Sequence, residues 1–486
     1  MKRENRLSVK FIGYTFIFIT LISLISVHLN SELISLSERS SSNIPLKSRV
    51  RSMGELQNLY NYIYIDGDAP FQQMASDMNW TGEGTEEQPF LIKDLTFQGA
   101  EGQILIDIRY TTVYFTITNC LITGGETGIK LASITNGRIE NNTIRFSTSV
   151  GLWLENVLDS QIINNNFANC STGIVLYQST NITVETNCLS NNSDYGVQLW
   201  NANDNSIREN LVTHNRNGLE IYDSRNNNIS QNILYENSEG ALQLDYSFNN
   251  HFRQNNISGN ALDGLSLWRS ETNTIRDNQI ENNYRGISLG RSPDNSIVNN
   301  TLVNNGLVLS GEEIDTYEQA DVKNNTVNQK PLIWWQNVSE KIVPEAGEII
   351  LLNCSDLVIT GQNITSASVG ISTYFCSNIS IYNNFLSNNS HFGISLAHVE
   401  NCTISSNNIT NNGQGIYTEH FAGVTIVDNI IKNNLERGIG VYQNDIVAFI
   451  FDGHEYQLIK THRTWSEAKA DCEAWGGHLV TIASQE

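Results

Sequence analysis

A short pattern repeats along most of the chain: a glycine, an apolar residue, a variable one and a second apolar one. It appears as Gly128–Leu131, Gly151–Leu154, Gly173–Leu176, Gly196–Leu199, Gly218–Ile221, Gly264–Leu267 and Gly286–Leu289. After a gap it returns at Gly393–Leu396, Gly415–Thr418 and Gly438–Val441. The final positions fall at 131, 154, 176, 199, 221, 244, 267 and 289, in steps of 22 or 23 residues. Eleven residues after each stands an asparagine: Asn142, Asn165, Asn187, Asn210, Asn232, Asn255, Asn278 and Asn300. The same offset leads from Thr373, Leu396 and Thr418 to Asn384, Asn407 and Asn429.

Such a period is too short for a strand–helix–strand unit and carries no helical periodicity. Each repeat offers short alternating strands of Ile, Leu and Val between Asn, Ser and Gly turns. One turn of this kind cannot bury its own apolar face, so it must stack on its neighbours. Stacking at the ~4.8 Å strand spacing makes parallel sheets around a continuous core. The expected fold is therefore an all-β solenoid of parallel strands. Equivalent residues stack as ladders, so the asparagine column reads as an internal amide ladder at a turn. The glycine column calls for positive φ or for close backbone approach.

The rhythm covers about residues 60–450, with an interruption at about 310–372. The opening stretch from Tyr60 to Cys120 reads as a cap and first coils. Within the interruption, Trp334 and Trp335 suggest a looped-out coil with its own aromatic plug. Before the solenoid, Lys2, Arg3, Arg6 and Lys10 precede an apolar run from Phe11 to Val27. That pattern marks residues 1–30 as a signal peptide or signal anchor, with 31–59 as a linker, and places the remainder outside the cytoplasm.

Charge narrows the partners. The chain has 51 acidic against 29 basic residues, a net charge of -22, and no basic stripe for phosphates. Nucleic acid is excluded as a partner, and membrane contact is confined to the N-terminal segment. The seven cysteines suggest one left unpaired in an exported chain; the six of the repeat region, Cys120, Cys170, Cys188, Cys354, Cys376 and Cys402, show no metal or redox spacing, and Cys472 stands apart.

Candidate chemistry lies on the outer face. The residue after each repeat unit points outward by period-two alternation. In successive coils it is Tyr177, Trp200, Tyr222, Asp245 and Trp268, and later Tyr374 and Tyr442. Stacking aligns these as a stripe, either a sugar-binding surface or a plain aromatic ladder that stiffens the sheet. His398 and His420 fall at matching positions of adjacent coils, with Glu419 beside them, as a weak metal candidate or an exposed polar stack. Glu220, Asp223 and Asp245 form a small acidic patch, open to catalysis, calcium or simple solvation. The chain has no Asp-Asp pair, and no catalytic residue is assigned. Sequons such as Asn181, Asn363 and Asn378 arise in any Asn-rich ladder, so each says little about glycosylation.

These repeats resemble the PbH1 repeats of right-handed parallel β-helix proteins, and more closely the NosD family. Gln329–Trp335 and Ile349–Ser355 look like that family's interrupted coil. The resemblance implies a right-handed coil, in line with the general bias of parallel crossovers. It also raises copper, although the four methionines all precede residue 80 and no Cys-His cluster suits the metal. Further on, Glu455–Ile459, Thr464–Cys472 and Trp475–Ser484 resemble the start of a C-type lectin domain, over residues 451–486. In that family the helix cysteine pairs with one near the domain's end. The resemblance thus implies that Cys472 lacks its partner here and that calcium would belong to an intact lectin-like domain.

Together these readings point to an exported surface β-helix that binds polysaccharide or cell-surface glycan without catalysis. Three alternatives stand beside it: a copper-related maturation factor, a polysaccharide lyase or hydrolase, and a stalk presenting a lectin-like domain.

Overall fold

The computed structural model describes residues 59–310, 320–442, 447–451 and 454–458, the last two by backbone only. The expected export segment within 1–30, most of the linker, Cys472 and nearly all of the lectin-like stretch lie outside these residues. Among the described residues, no helix is long and apolar enough to cross a membrane.

The chain coils into a parallel β-solenoid with three sheets. The first sheet holds 11 strands, from Ile63–Asp66 to Leu307–Ser310, and the second holds 11, from Phe90–Lys93 to Asp321–Lys323. The third, of 18 strands, runs from Leu59–Tyr60 to Thr326–Val327 and continues through the antiparallel Lys330–Gln336 into the coils beyond. Register follows the sequence columns. Leu131, Leu154, Leu176, Leu199, Ile221, Leu244, Leu267 and Leu289 pair one after another in the first sheet. Ile162, Val184, Ile207, Ile229, Phe252, Ile275 and Ile297 do so in the second, all fully buried.

The asparagine column is a ladder along the axis. Asn165 Oδ1 accepts both the backbone N–H and the Nδ2 of Asn142, at 2.9 and 3.0 Å. Asn165 in turn donates to Asn187 and to the Ile139 carbonyl, so its amide is satisfied though buried. The residue before each of these asparagines is in the left-handed region, such as Asn164 at φ 54 and Glu209 at φ 55. The repeat glycines need close approach instead. A methyl group on Gly196 would stand 2.7 Å from the Gly218 carbonyl oxygen and 2.6 Å from a Val212 methyl.

Two further ladders go beyond the sequence reading. One runs through Asn192, Asn215, Asn237, Asn260 and Asn283, the other through Asn205, Asn227, Asn250, Asn273 and Asn295. Their columns lie 16 and six residues after the same repeat positions, so the offset that exposes the first ladder would expose these too. The cap expected between Tyr60 and Cys120 is present, but it is helical rather than all-β. The helix Asp68–Asp77 places Phe71 against Phe90, Phe115 and Trp80, covering the first coil's apolar end.

The interruption is shorter than the expected 310–372. The first sheet stops at Leu307–Ser310. The chain then makes a hairpin from Thr326–Val327 into Lys330–Gln336, and a second stack begins there. Strands Glu348–Leu352, Val358–Thr360 and Asn363–Thr365 already form an ordinary coil, because Leu332–Gln336 provides an edge for it to pair on. Trp334 and Trp335 pack partly buried against the core. At the seam, the buried Glu348 carboxylate accepts backbone N–H groups from Leu307 (2.8 Å) and Val369 (3.2 Å). At the far end, Val447–Phe451 joins the last coil and pairs antiparallel with His454–Leu458.

Candidate functional site

The flank where each first-sheet strand ends carries the expected aromatic file. Pairing sets Tyr177 beside Trp200, Trp200 beside Tyr222, Tyr222 beside Asp245 and Asp245 beside Trp268. Ring centroids lie 5.6 Å apart for Tyr177–Trp200 and 6.1 Å for Trp200–Tyr222, both edge to face. Trp153 extends the file by one coil, 6.3 Å from Tyr177. Trp200 is 46% exposed, Tyr222 39% and Trp268 38%, while Tyr177 is half-buried.

Two positions depart from the simple stripe. Asp245 breaks the row, and the file turns instead to Tyr246, 6.0 Å from Tyr222. Tyr246 has φ 51, and this left-handed turn swings its ring back over the flank; Arg269 lies over that ring at 5.6 Å. Trp268 stands apart, covering Gly290 with Arg291 over its own ring. Tyr374 is a correction: it was expected outside but is only 5% exposed. The neighbouring strand is lengthened to nine residues, Phe392–Glu400, and its Ala397 pairs beside Tyr374 and carries the chain onward past it.

Beside the file, two of the three carboxyls are already engaged. Glu220 accepts hydrogen bonds from Tyr195 Oη (3.0 Å) and Gln198 Nε2 (2.5 Å). Burial raises its pKa above the ordinary carboxylate value, and nearby Asp245 adds to the rise. Asp245 is likewise raised by burial and accepts from Gln243 Nε2 at 2.7 Å. Asp223 is exposed, and its backbone N–H donates to the Asp245 carbonyl. Each of the two raised carboxyls thus has its own amide partner.

His398 and His420 do stack as neighbours, with centroids 4.5 Å apart and rings 3° from parallel; Phe375 continues the stack on His398 at 4.6 Å. Glu419 accepts a hydrogen bond from Tyr417 Oη. An imidazole binds a metal in its ring plane through a nitrogen lone pair, and two parallel stacked planes share no such point. Among the described residues, no group of three or more His, Cys, Asp and Glu could hold an ion.

Residues 90–212 and 337–457, half of the chain, match the family described as "Right handed beta helix region". The chain belongs to this right-handed β-helix family. Residues 176–315 also match "Periplasmic copper-binding protein (NosD)". The donors present do not fit copper, since soft or imidazole ligands nowhere converge in threes among the described residues. Of solved structures, the Azotobacter vinelandii mannuronan C-5 epimerase AlgE4 A-module is similar at 14% identity and TM-score 0.37, covering 62% of this chain and 82% of that one. The periplasmic alginate epimerase AlgG is similar at 14% identity and TM-score 0.32, covering 81% and 84%. Tailspike protein 2 of Escherichia coli O157:H7 bacteriophage CAB120 is 10% identical with TM-score 0.29, covering 56% of this chain and 38% of that one. No curated protein matches the chain.

Proposed function

We propose that this protein is an exported β-helix that binds carbohydrate along the Trp153–Tyr177–Trp200–Tyr222–Tyr246 file without cleaving it. The carrying observation is the continuity of those rings over five coils, with Trp200, Tyr222 and Tyr246 each more than a third exposed. Sugar rings stack on indole and phenol faces, whose polar edges can meet hydroxyls. A rigid ladder holds the rings in place before any ligand arrives, which lowers the ordering cost of binding. The non-catalytic reading draws on Glu220 and Asp245 each being held by its own amide partner, whereas hydrolysis needs two carboxyl groups flanking one bond. Residues 1–30 would direct export, and a lectin-like module beginning near residue 451 would add a second sugar-facing surface with its own calcium.

The test is retention of the full chain on a panel of soluble and insoluble polysaccharides, with released sugar measured in the same samples. Wild type should be retained on at least one glycan and release nothing, while a Trp200→Ala, Tyr222→Ala double variant passes through. Equal retention of the two proteins would remove the file as the site. Sugar release would restore the enzyme reading, and retention by neither would leave a stalk.

A further inference from the structure

Just past five of the first-sheet strands, the solenoid keeps a small buried acceptor. Ser179, Ser224, Ser247, Ser270 and Ser292 each take, through Oγ, the backbone N–H at the matching position one coil earlier, at 2.9–3.1 Å. In the second stack this position is cysteine on two consecutive coils. Cys376 Sγ accepts the backbone N–H of Cys354 at 3.4 Å. Both residues are 2% exposed. Each thiol donates to backbone carbonyls, Cys354 to those of Trp335 and Leu352 and Cys376 to those of Leu351 and Tyr374, and the neighbouring Cys376 holds the Cys354 thiol below its ordinary value. Pairing of Leu352 with Tyr374 and of Ser355 with Ser377 places the two cysteines directly opposite. Their Cα atoms then lie near the ~4.8 Å strand spacing, inside the 4.4–6.8 Å range of disulfides. Cys120 and Cys170 face backbone carbonyls too, but each is followed one coil on by an asparagine, Asn142 and Asn192, rather than by a second cysteine.

We propose that Cys354 and Cys376 close a disulfide that ties together the first two coils flanking Val358–Thr365. The reaction is thiol–disulfide exchange with a small disulfide oxidant such as glutathione disulfide. The Cys354 thiolate attacks one oxidant sulfur, forming a mixed disulfide and expelling one glutathione thiolate. Cys376 then loses its proton to that leaving thiolate and attacks the Cys354 sulfur, expelling the second glutathione, which takes up the proton first lost by Cys354. Two protein thiols become one S–S bond, and both electrons and both protons leave on two molecules of reduced glutathione. Burial sets the timing: the bond forms as the coils stack, before the sulfurs are sealed from the oxidant.

The experiment refolds the full chain in glutathione redox buffer, alkylates free thiols and digests with a protease that cuts before Asp356. That cut separates the two cysteines. Mass spectrometry is expected to find the peptide ending at Ser355 joined to the one containing Cys376. Cys354→Ser should leave Cys376 alkylated, and Cys376→Ser should leave Cys354 alkylated. Serine is the native residue at this position in five other coils, so both variants are expected to fold. Reductant should lower the melting temperature of wild type and leave the double serine variant unmoved. Alkylation of both thiols in folded wild type, or linkage of Cys354 to Cys472 instead, overturns the proposal. The refolding is done in a defined buffer, so its outcome is independent of export and of glycan retention.

Discussion

Glu348 and Leu307 are joined across the seam of the solenoid: the Glu348 Oε2 accepts the Leu307 N–H at 2.8 Å over 41 residues of sequence. The other oxygen takes the Val369 N–H, and Gly306 leaves room for the carboxylate, since any side chain there would overlap it. Where the first sheet loses its strand-to-strand pairing, one side chain supplies the missing acceptors.

Replacing Glu348 with glutamine should therefore destabilise the fold. The amide nitrogen would face a backbone N–H, leaving a buried donor without an acceptor, at a cost of about 1–3 kcal/mol. Urea unfolding of Glu348→Gln against wild type at pH 5 measures this; an unchanged midpoint would dismiss the Glu348 carboxyl as a tie.

The same residue sets a pH dependence. Burial raises Glu348 from 4.5 to about 8, so the folded chain holds a proton that the unfolded chain has already released. Its contribution is full below about pH 4.5 and declines as pH rises to about 8. Asp68 works the other way. Hydrogen bonds from Thr111 and Thr112 hold its carboxyl below the ordinary 3.8, so its stabilisation is present above that value and is lost as the chain is acidified. Melting temperature should fall between pH 5 and 8 in wild type, and Glu348→Gln should flatten that fall.

The asparagine ladder gives a sharper contrast. Asn210 Oδ1 accepts two donors of Asn187, its backbone N–H and its Nδ2. Asn210→Ala should cost about 2–5 kcal/mol by orphaning both. Asn166→Ala, next to a ladder residue but exposed, should cost less than about 0.5 kcal/mol. Similar costs for the two, measured by chemical denaturation, would deny the ladder its role.

Trp200 separates binding from stability. Its side chain is half-exposed and makes two edge-to-face pairs, each worth roughly 0.5–1.5 kcal/mol. Trp200→Ala should fold with a loss of about 1–3 kcal/mol and bind glycan at least tenfold more weakly in a titration. Unchanged affinity with that stability loss would make the ring a stiffener only.

The coil and its register were legible in the sequence because both are column properties. A residue that repeats every 22 or 23 positions must stack on itself, and Leu131 to Leu289 do so. Departures lie where a local event overrides the column. Tyr374 has the outward parity of Tyr222, yet the lengthened strand beside it buries it. Tyr246 joins the aromatic file from the next column, whose Gln178, Asn201, Asp223 and Arg269 share its left-handed φ, because among these coils its own alone places an aromatic ring there. Glu348 has no column of its own and depends on which coils meet at the interruption, whereas Cys354 and Cys376 stand in the column that Ser179 to Ser292 occupy in the first stack. The stacking of His398 on His420 was legible, whereas the parallel ring planes, which decide what the pair can do, depend on side-chain rotamers.

The seam at Glu348 also has a mechanical meaning. Within each stack, tension along the axis is shared by three sheets and several amide ladders at every coil interface. Between Leu307–Ser310 and Lys330–Gln336 the first sheet lends no strand pairing. A rod pulled from its ends should part there first, yielding two blocks that stay coiled rather than one thread unravelling from a tip.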